Sequence, residues 1–329
     1  MKTNDPNEAL LDVKDLKVYY RTRSEPVKAV DGVTFTVKSG EIFSIVGESG
    51  CGKSTLANAI IRLIDPPAYV AGGEILLKGV DLLKLGDEGI RSVRWKEISI
   101  LPQSAMNALN PVMKIHHQIK DAVRAHARRM SDKEVRKRIK EMSKRVMLPS
   151  YALRAYPSQL SGGMKQRAIL VQSLVLDPGL VIVDEPTSAL DVVTQRKILE
   201  FLTMKRDEAG TSIILITHDI AVAAEVADRM MVMYAGKVFE VGEINDVFDD
   251  PLHPYTKALI EAVPSLGTKR DVRGLSGLPP DLTNPPSGCR FHPRCTQAGD
   301  SCKSEEPKLW EAKQGHLVAC RRCEGRTVV

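Results

Sequence analysis

Nine residues, GESGCGKST at 47 to 55, hold the clearest chemistry in the chain. They match G-x-x-x-x-G-K-[ST], a spacing built for phosphate. Gly47, Gly50 and Gly52 let backbone N–H groups close around phosphate oxygens where a Cβ would obstruct them. A helix starting at the end of the motif adds its dipole. Lys53 can reach the β- and γ-phosphates, and Ser54 can offer its hydroxyl to Mg²⁺. Glu48, Ser49, Cys51 and Thr55 complete the candidate loop. Cys51 takes a variable loop position, and no redox role is assigned to it.

LVIVDE at 180 to 185 supplies the complement. Four apolar residues read as a buried strand and end in two carboxylates. Asp184 would face the Mg²⁺ shell, and Glu185 could polarise a water for in-line attack on a γ-phosphate. The phosphate motif by itself says NTP binding, whereas a DE after a strand is weak alone; paired, they point to nucleoside triphosphate hydrolysis.

A second chemistry clusters late in the chain. GCRFHPRCTQAGDSCK at 288 to 303 holds three cysteines, and VACRRC at 318 to 323 holds two more. The spacing is Cys289-x5-Cys295-x6-Cys302-x17-Cys320, with Cys323 three residues beyond. A disulfide framework is disfavoured, because the opening residues show no apolar signal core and a reducing compartment is expected. The density is too high for unconnected small hydrophobes, so metal binding fits best. Spacing leaves zinc and an iron–sulfur cube both open, since only Cys320 and Cys323 form a C-x2-C unit.

These residues need a scaffold. EIFSIVG (41–47), LVIVDE and TSIILITH (211–218) read as buried strands, each followed by a helical pattern. The helical patterns are KSTLANAIIRLI, VVTQRKILEFLTMKRDEAG and DIAVAAEVADRM. That alternation predicts an α/β sheet with crossover helices. LLDVKDLKVYY, AVDGVTFTV and GEILLKGVDL predict a second, smaller antiparallel sheet. A helical period dominates from about 90 to 175 and predicts an inserted helical subdomain. Beyond about 264, PSLGTKRDVRGLSGLPPDLTNPPSG reads as an irregular Pro- and Gly-rich arm. The expected division is a nucleotide-binding domain over 1–264 and a cysteine-rich extension over 265–329.

Composition limits the alternatives. The hydrophobic fraction of 43% supports a sizeable core in 329 residues. No apolar run approaches the length of a membrane span, so a peripheral place on the cytoplasmic face of the membrane, through a partner, is expected. A net charge of +6 is mild, and the basic stretch at 120–146 reads as the solvated face of amphipathic helices. Aromatics do not interleave its charges, which disfavours nucleic acid as a partner.

Between the two phosphate motifs stands LSGGMKQR at 160 to 167. With it the chain resembles the ATP-binding subunits of ABC transporters from about residue 10 to 265. Gln103 in ILPQSAMNALNP matches the family's Q-loop, VDEPTSALD carries a D-loop at 188–191, and His218 stands in ITHD. Met164 replaces the commonest signature glutamine. The resemblance implies a P-loop NTPase cassette with a RecA-like mixed sheet core, an antiparallel β subdomain and an inserted helical subdomain. It implies two subunits packed head to tail, with ATP between the P-loop of one and the signature of the other. Ser161, Gly162 and Gly163 would bind the partner's γ-phosphate. Gln103 would touch Mg²⁺ or the attacking water, His218 would hold Glu185 and that water, and Asp191 would support the opposing site. An aromatic stacks on adenine in this family, and of Tyr19 and Tyr20 the choice is Tyr20.

NALNP, PLHPYTKALIEAVP (251–264) and the cysteine tail narrow the resemblance to dipeptide/oligopeptide importers. There, two ATPase subunits, usually sister chains, drive two membrane permeases fed by a solute-binding protein; some members carry oligosaccharides. In that subfamily four cysteines hold a 4Fe–4S cluster. The match assigns Cys289, Cys295, Cys302 and Cys320 as ligands and leaves Cys323 spare, with His292 and His316 as less favoured substitutes. The cluster is expected to be structural, standing in for a core that a short Pro-rich tail cannot build. The competing classes are a soluble ABC-type ATPase and a nucleotide-binding regulator. The absence of a long coiled-coil insertion or a second cassette weighs against the first; Glu185 with His218 weighs against the second.

Overall fold

Residues 42–46 are apolar or small, and all five are buried as one strand. Such a strand needs neighbours on both edges and cover on both faces, and the fold is organised around that demand. The computed structural model describes residues 9–103, 108–127, 129–186, 191–263 and 275–323. They form two compact units.

One unit takes Ala9–Val37, Ile42–Leu83 and the chain from Leu215 onward. Four of its strands, β1 (Ala9–Tyr20), β2 (Val27–Lys38), β4 (Ala68–Leu77) and β5 (Val80–Asp81), form a sheet in the order β2-β1-β4-β5. β1 and β4 pair antiparallel from Leu11↔Leu77 to Tyr20↔Ala68, as expected for the smaller sheet. Its other strands are β3 (Ile42–Val46), β9 (Arg229–Tyr234), β10 (Lys237–Glu243), β11 (Trp310–Lys313) and β12 (His316–Val318). β3 runs parallel to β9, whereas β9–β10, β10–β12 and β11–β12 are antiparallel. The sheet is therefore mixed, as the cassette resemblance implies. Helix α1 (Lys53–Ile60) follows β3, and α7 (Ile220–Val226), α8 (Ile244–Asp249) and α9 (Pro254–Glu261) contribute to this unit too.

Two details of this unit depart from the sequence reading. The helical pattern DIAVAAEVADRM stops at Val226, and Arg229 and Met230 already belong to β9. Alternation and helical period look alike over a few apolar residues, so that boundary was not legible. The tail also has more hydrophobic support than expected. Phe291, only 2% exposed, joins Tyr234, Phe239 and Tyr255 in one aromatic cluster, with ring centroids 5.2 to 5.3 Å from Tyr255 and Tyr234. Leu275 and Leu282 pack against the same cluster. The tail borrows an existing core rather than doing without one, and β12 extends the sheet edge at β10.

The other unit includes Lys38–Glu41 and Lys84–Ile214. It holds α2 (Asp87–Val93), β6 (Ile98–Leu101), α3 (Ile115–His126), α4 (Asp132–Arg145), α5 (Gly162–Leu174), β7 (Leu180–Asp184) and α6 (Val192–Ala209). Strand β8 (Ser212–Thr217) starts in it. The stretch expected to be helical thus also contains β6, paired parallel with β7 from Ile98↔Leu180 to Leu101↔Val183. Four residues are too few to show a period of their own. Ser99 and Ser173 tie α5 to β6, through Ser99 Oγ to the Ser173 carbonyl (2.8 Å) and Ser173 Oγ to the Ile100 carbonyl (2.9 Å). Ser131 caps α4 in a reciprocal box with Glu134.

Candidate active site

The phosphate motif sits where the sequence put it, between β3 and α1. Gly52 caps α1 at φ +106, and a Cβ there would lie 2.1 Å from the Ala29 carbonyl oxygen. Gly47 is at φ +153, and its Cβ would meet the Met233 carbonyl oxygen at 2.1 Å. Only glycine fits either place. The Lys53 ammonium is buried and donates to the carbonyls of Gly47 (2.7 Å) and Glu48 (3.0 Å). Lysine thereby fastens the loop's first two residues to its last turn. Cys51 is buried, and burial pushes its thiol pKa up against the pull of Lys53. A protonated, covered thiol is a poor nucleophile.

The two tyrosines separate as strand alternation requires. Tyr19 donates to Asp31 at 2.6 Å and meets Tyr69 edge-on at 6.2 Å. The Tyr20 hydroxyl shares a 3.0 Å hydrogen bond with Thr55, in the first turn of α1. His218 is exposed directly after β8, and Asp219 caps α7 through the Ala221 N–H at 2.9 Å.

In the other unit, Asp184 closes β7 and is buried. Glu185 follows with φ +50, a conformation that costs a non-glycine residue energy and is concentrated at functional sites. Its carbonyl accepts from Gln166 Nε2 at 3.1 Å, which connects it to the signature helix. Ser161 is the N-cap of α5, with Gly162 and Gly163 as the first helical residues. The signature therefore opens a thirteen-residue helix, whose end carries unsatisfied N–H donors and a positive dipole. Gln103 is exposed two residues past β6. Asp191 caps α6, accepting from the Thr194 N–H at 2.9 Å and its hydroxyl at 2.8 Å. D-loop residues 188–190 lie outside the described residues, as does the first part of the Pro-rich arm, 264–274.

Comparison with known proteins now decides the family. Residues 30–188 match the ABC transporter family, and residues 239–302 match the oligopeptide/dipeptide transporter C-terminal region. The dipeptide transport ATP-binding protein DppD of Caldanaerobacter subterraneus subsp. tengcongensis is 43% identical, over 96% of this chain and 97% of that protein. The chain belongs to the ATP-binding subunits of dipeptide/oligopeptide ABC transporters. This ABC ATPase is also 42% identical to the oligopeptide transport ATP-binding protein OppD of Bacillus subtilis, over 94% of its own length and 87% of the relative's. A dimeric ATP-binding cassette solved in a post-hydrolysis state with ADP and Pi superposes with a TM-score of 0.66 at 29% identity, covering 71% of this chain and 98% of that one. The subunit is an ATPase coupled to transport. No helix among its described residues is long and apolar enough to cross a membrane.

Four of the six cysteines of this ABC ATPase meet in space. Cys289, Cys295, Cys302 and Cys320 line one small cavity, beside His292. Burial pushes the Cys289 thiol pKa up to about 11, with the other three thiols adding to the effect. Cys320 is pulled down to about 7, chiefly by its hydrogen bond with Cys323. His316 does not line this cavity; its Nε2 lies 2.8 Å from Glu240 Oε1, in a fully buried pair. Among the described residues, no group of three or more His, Cys, Asp or Glu side chains is arranged to hold a single metal ion.

What the sequence did not reveal is the partner of Glu48. Arg294 Nη1 and Nη2 donate to its two carboxylate oxygens at 2.7 and 2.9 Å, and the Tyr255 hydroxyl accepts its N–H at 2.9 Å. HPY at 253–255 reads in the sequence only as a mark of the importer subfamily; in the fold His253 caps α9, Pro254 starts it, and the Tyr255 hydroxyl meets the loop.

Proposed function

We propose that this subunit hydrolyses ATP to energise import of peptides. The observation that carries the solute class is the match of residues 239–302 to the peptide-transporter C-terminal region. The proposed roles follow the sequence reading. The loop from Gly47 to Thr55 cradles ATP, Lys53 holds its phosphates, and Tyr20 stacks on adenine. Ser54, Asp184 and Gln103 serve Mg²⁺. Glu185 is the general base, and His218 holds it and the water. Ser161, Gly162 and Gly163 reach the γ-phosphate bound to a second ATPase subunit, supported by Asp191. Residues 1–264 form the catalytic domain and 265–329 its extension. The partners are a sister ATPase, two permeases and, through them, a solute-binding protein outside the cell. The place is the cytoplasmic face of the membrane.

Expressed with its neighbouring transport genes, the chain should co-purify with two hydrophobic subunits and show peptide-stimulated ATP hydrolysis in vesicles. Stimulation by oligosaccharides alone would overturn the peptide assignment. Purification without any membrane subunit would overturn the transport role.

The tail is proposed to carry a 4Fe–4S cluster on Cys289, Cys295, Cys302 and Cys320, supported by their shared cavity. When bound, it would supply covalent cross-links to a short tail and not chemistry for hydrolysis. Anaerobically purified protein should contain about four iron and four sulfide per chain. Stoichiometric zinc without broad visible absorbance would overturn the assignment.

A further inference from the structure

Nothing in the phosphate-loop motif asks for an arginine, yet one grips the loop. Arg294 forks onto both oxygens of Glu48. Its side chain is only 6% exposed and that of Glu48 is 22% exposed, so solvent screens the pair little. A planar guanidinium meeting a carboxylate with two prongs fixes direction as well as distance.

The grip is built before Glu48 is counted. Arg294 Nε donates to the Ser276 carbonyl at 2.9 Å, and Nη1 donates to the Tyr234 hydroxyl at 3.1 Å. The guanidinium carbon lies 5.7 Å from the Tyr234 ring and 6.0 Å from that of Phe291. Tyr255 holds the Glu48 backbone, and its own ring is buried in the same aromatic cluster. The Glu48 carbonyl in turn accepts from Lys53. One loop residue is therefore held at its N–H, its carboxylate and its carbonyl. Two of the three holders lie 207 and 246 residues away.

We propose that Arg294 and Tyr255 are positioning residues of the phosphate loop, so that ATP affinity depends on the C-terminal region. They fix Glu48 and, through its carbonyl, the place of the Lys53 ammonium. Arg294 lies in the turn between Cys289 and Cys295, so the segment bearing two of the cavity cysteines also anchors the grip. This inference rests on the reading of residues 47–55 as the ATP loop.

The test uses the full-length chain, with a fluorescent ATP analogue for Kd and steady-state hydrolysis for KM and kcat. Arg294→Ala should raise Kd and KM about tenfold, with kcat within about twofold. Arg294→Lys should fall between, because it keeps the charge and loses the fork. Glu48→Gln should weaken binding like Arg294→Ala, and the double variant should be no worse than either single one. Tyr255→Phe should raise Kd by a smaller factor. Arg294→Ala with wild-type Kd, or effects that simply add in the double variant, would overturn the grip. Should Arg294→Ala fail to fold, the near-isosteric Glu48→Gln decides: wild-type Kd there overturns it equally. Lys53→Ala is the control for the underlying reading. If it binds as tightly as wild type, the ATP-loop assignment fails; if binding is lost while Arg294→Ala binds normally, only the grip fails.

Discussion

Arg294 and Glu48 stand 246 residues apart and meet in a two-pronged ion pair at 2.7 and 2.9 Å. The pair joins the cysteine-rich tail to the loop proposed to hold ATP. It recasts the tail as part of the unit that carries that loop, packed on its aromatic cluster and paired with its sheet.

Phe291 should therefore matter far more than its place in a tail suggests. Phe291→Ala would leave a cavity beside Tyr234, Phe239 and Tyr255. A loss of about 3–5 kcal/mol is expected, typical of a buried phenylalanine. Urea unfolding of the full chain reads it; an unchanged midpoint would show that the tail does not share the core.

Gly52→Ala tests the loop's steric logic. Its Cβ would stand 2.1 Å from the Ala29 carbonyl oxygen, in a backbone conformation alanine resists. Either the loop shifts or the neighbouring strand does. A cost on the order of 2–4 kcal/mol is expected, with nucleotide binding lost. Calorimetry with and without ATP separates the two effects.

Glu185 already carries positive-φ strain at the end of a buried strand. Glu185→Gln should keep ATP binding and lower turnover at least about a hundredfold, as loss of a general base does. Sizing chromatography with ATP should then show a trapped dimer. Turnover near wild type would remove the base assignment.

The cap of α6 supplies a pH signature. Two hydrogen bonds from Thr194, the backbone one first, hold the Asp191 carboxyl below the usual range. Its folded pKa lies below the unfolded one. The cap's contribution is thus complete above the unfolded value of roughly 4 and fades as pH falls through the folded value. Asp191→Ala should melt lower than wild type at pH 7, and the gap should narrow as the pH falls below the unfolded value of roughly 4. A gap constant with pH would exclude the carboxylate as its source.

Much of this protein is legible in its letters because its chemistry is local. Gly47, Gly52 and Lys53 act through backbone shape and reach within one loop, so their spacing alone carries the message. Ser161 and the two glycines announce a helix start for the same reason. The buried strands β3, β7 and β8 show as short, mostly apolar runs. β6 and β9 were harder to read, being short or run together with a helical pattern.

Tertiary structure alone decided what Arg294, Tyr255 and Phe291 do. An ion pair across 246 residues leaves no period and no spacing in the sequence; it exists only once β9, α9 and the turn after Cys289 share one core. The four cysteines could be counted from the sequence, but their convergence on one cavity could not. Local motifs set the reaction this chain can perform. Long-range packing decided that its last segment helps hold the place where the reaction is proposed to begin.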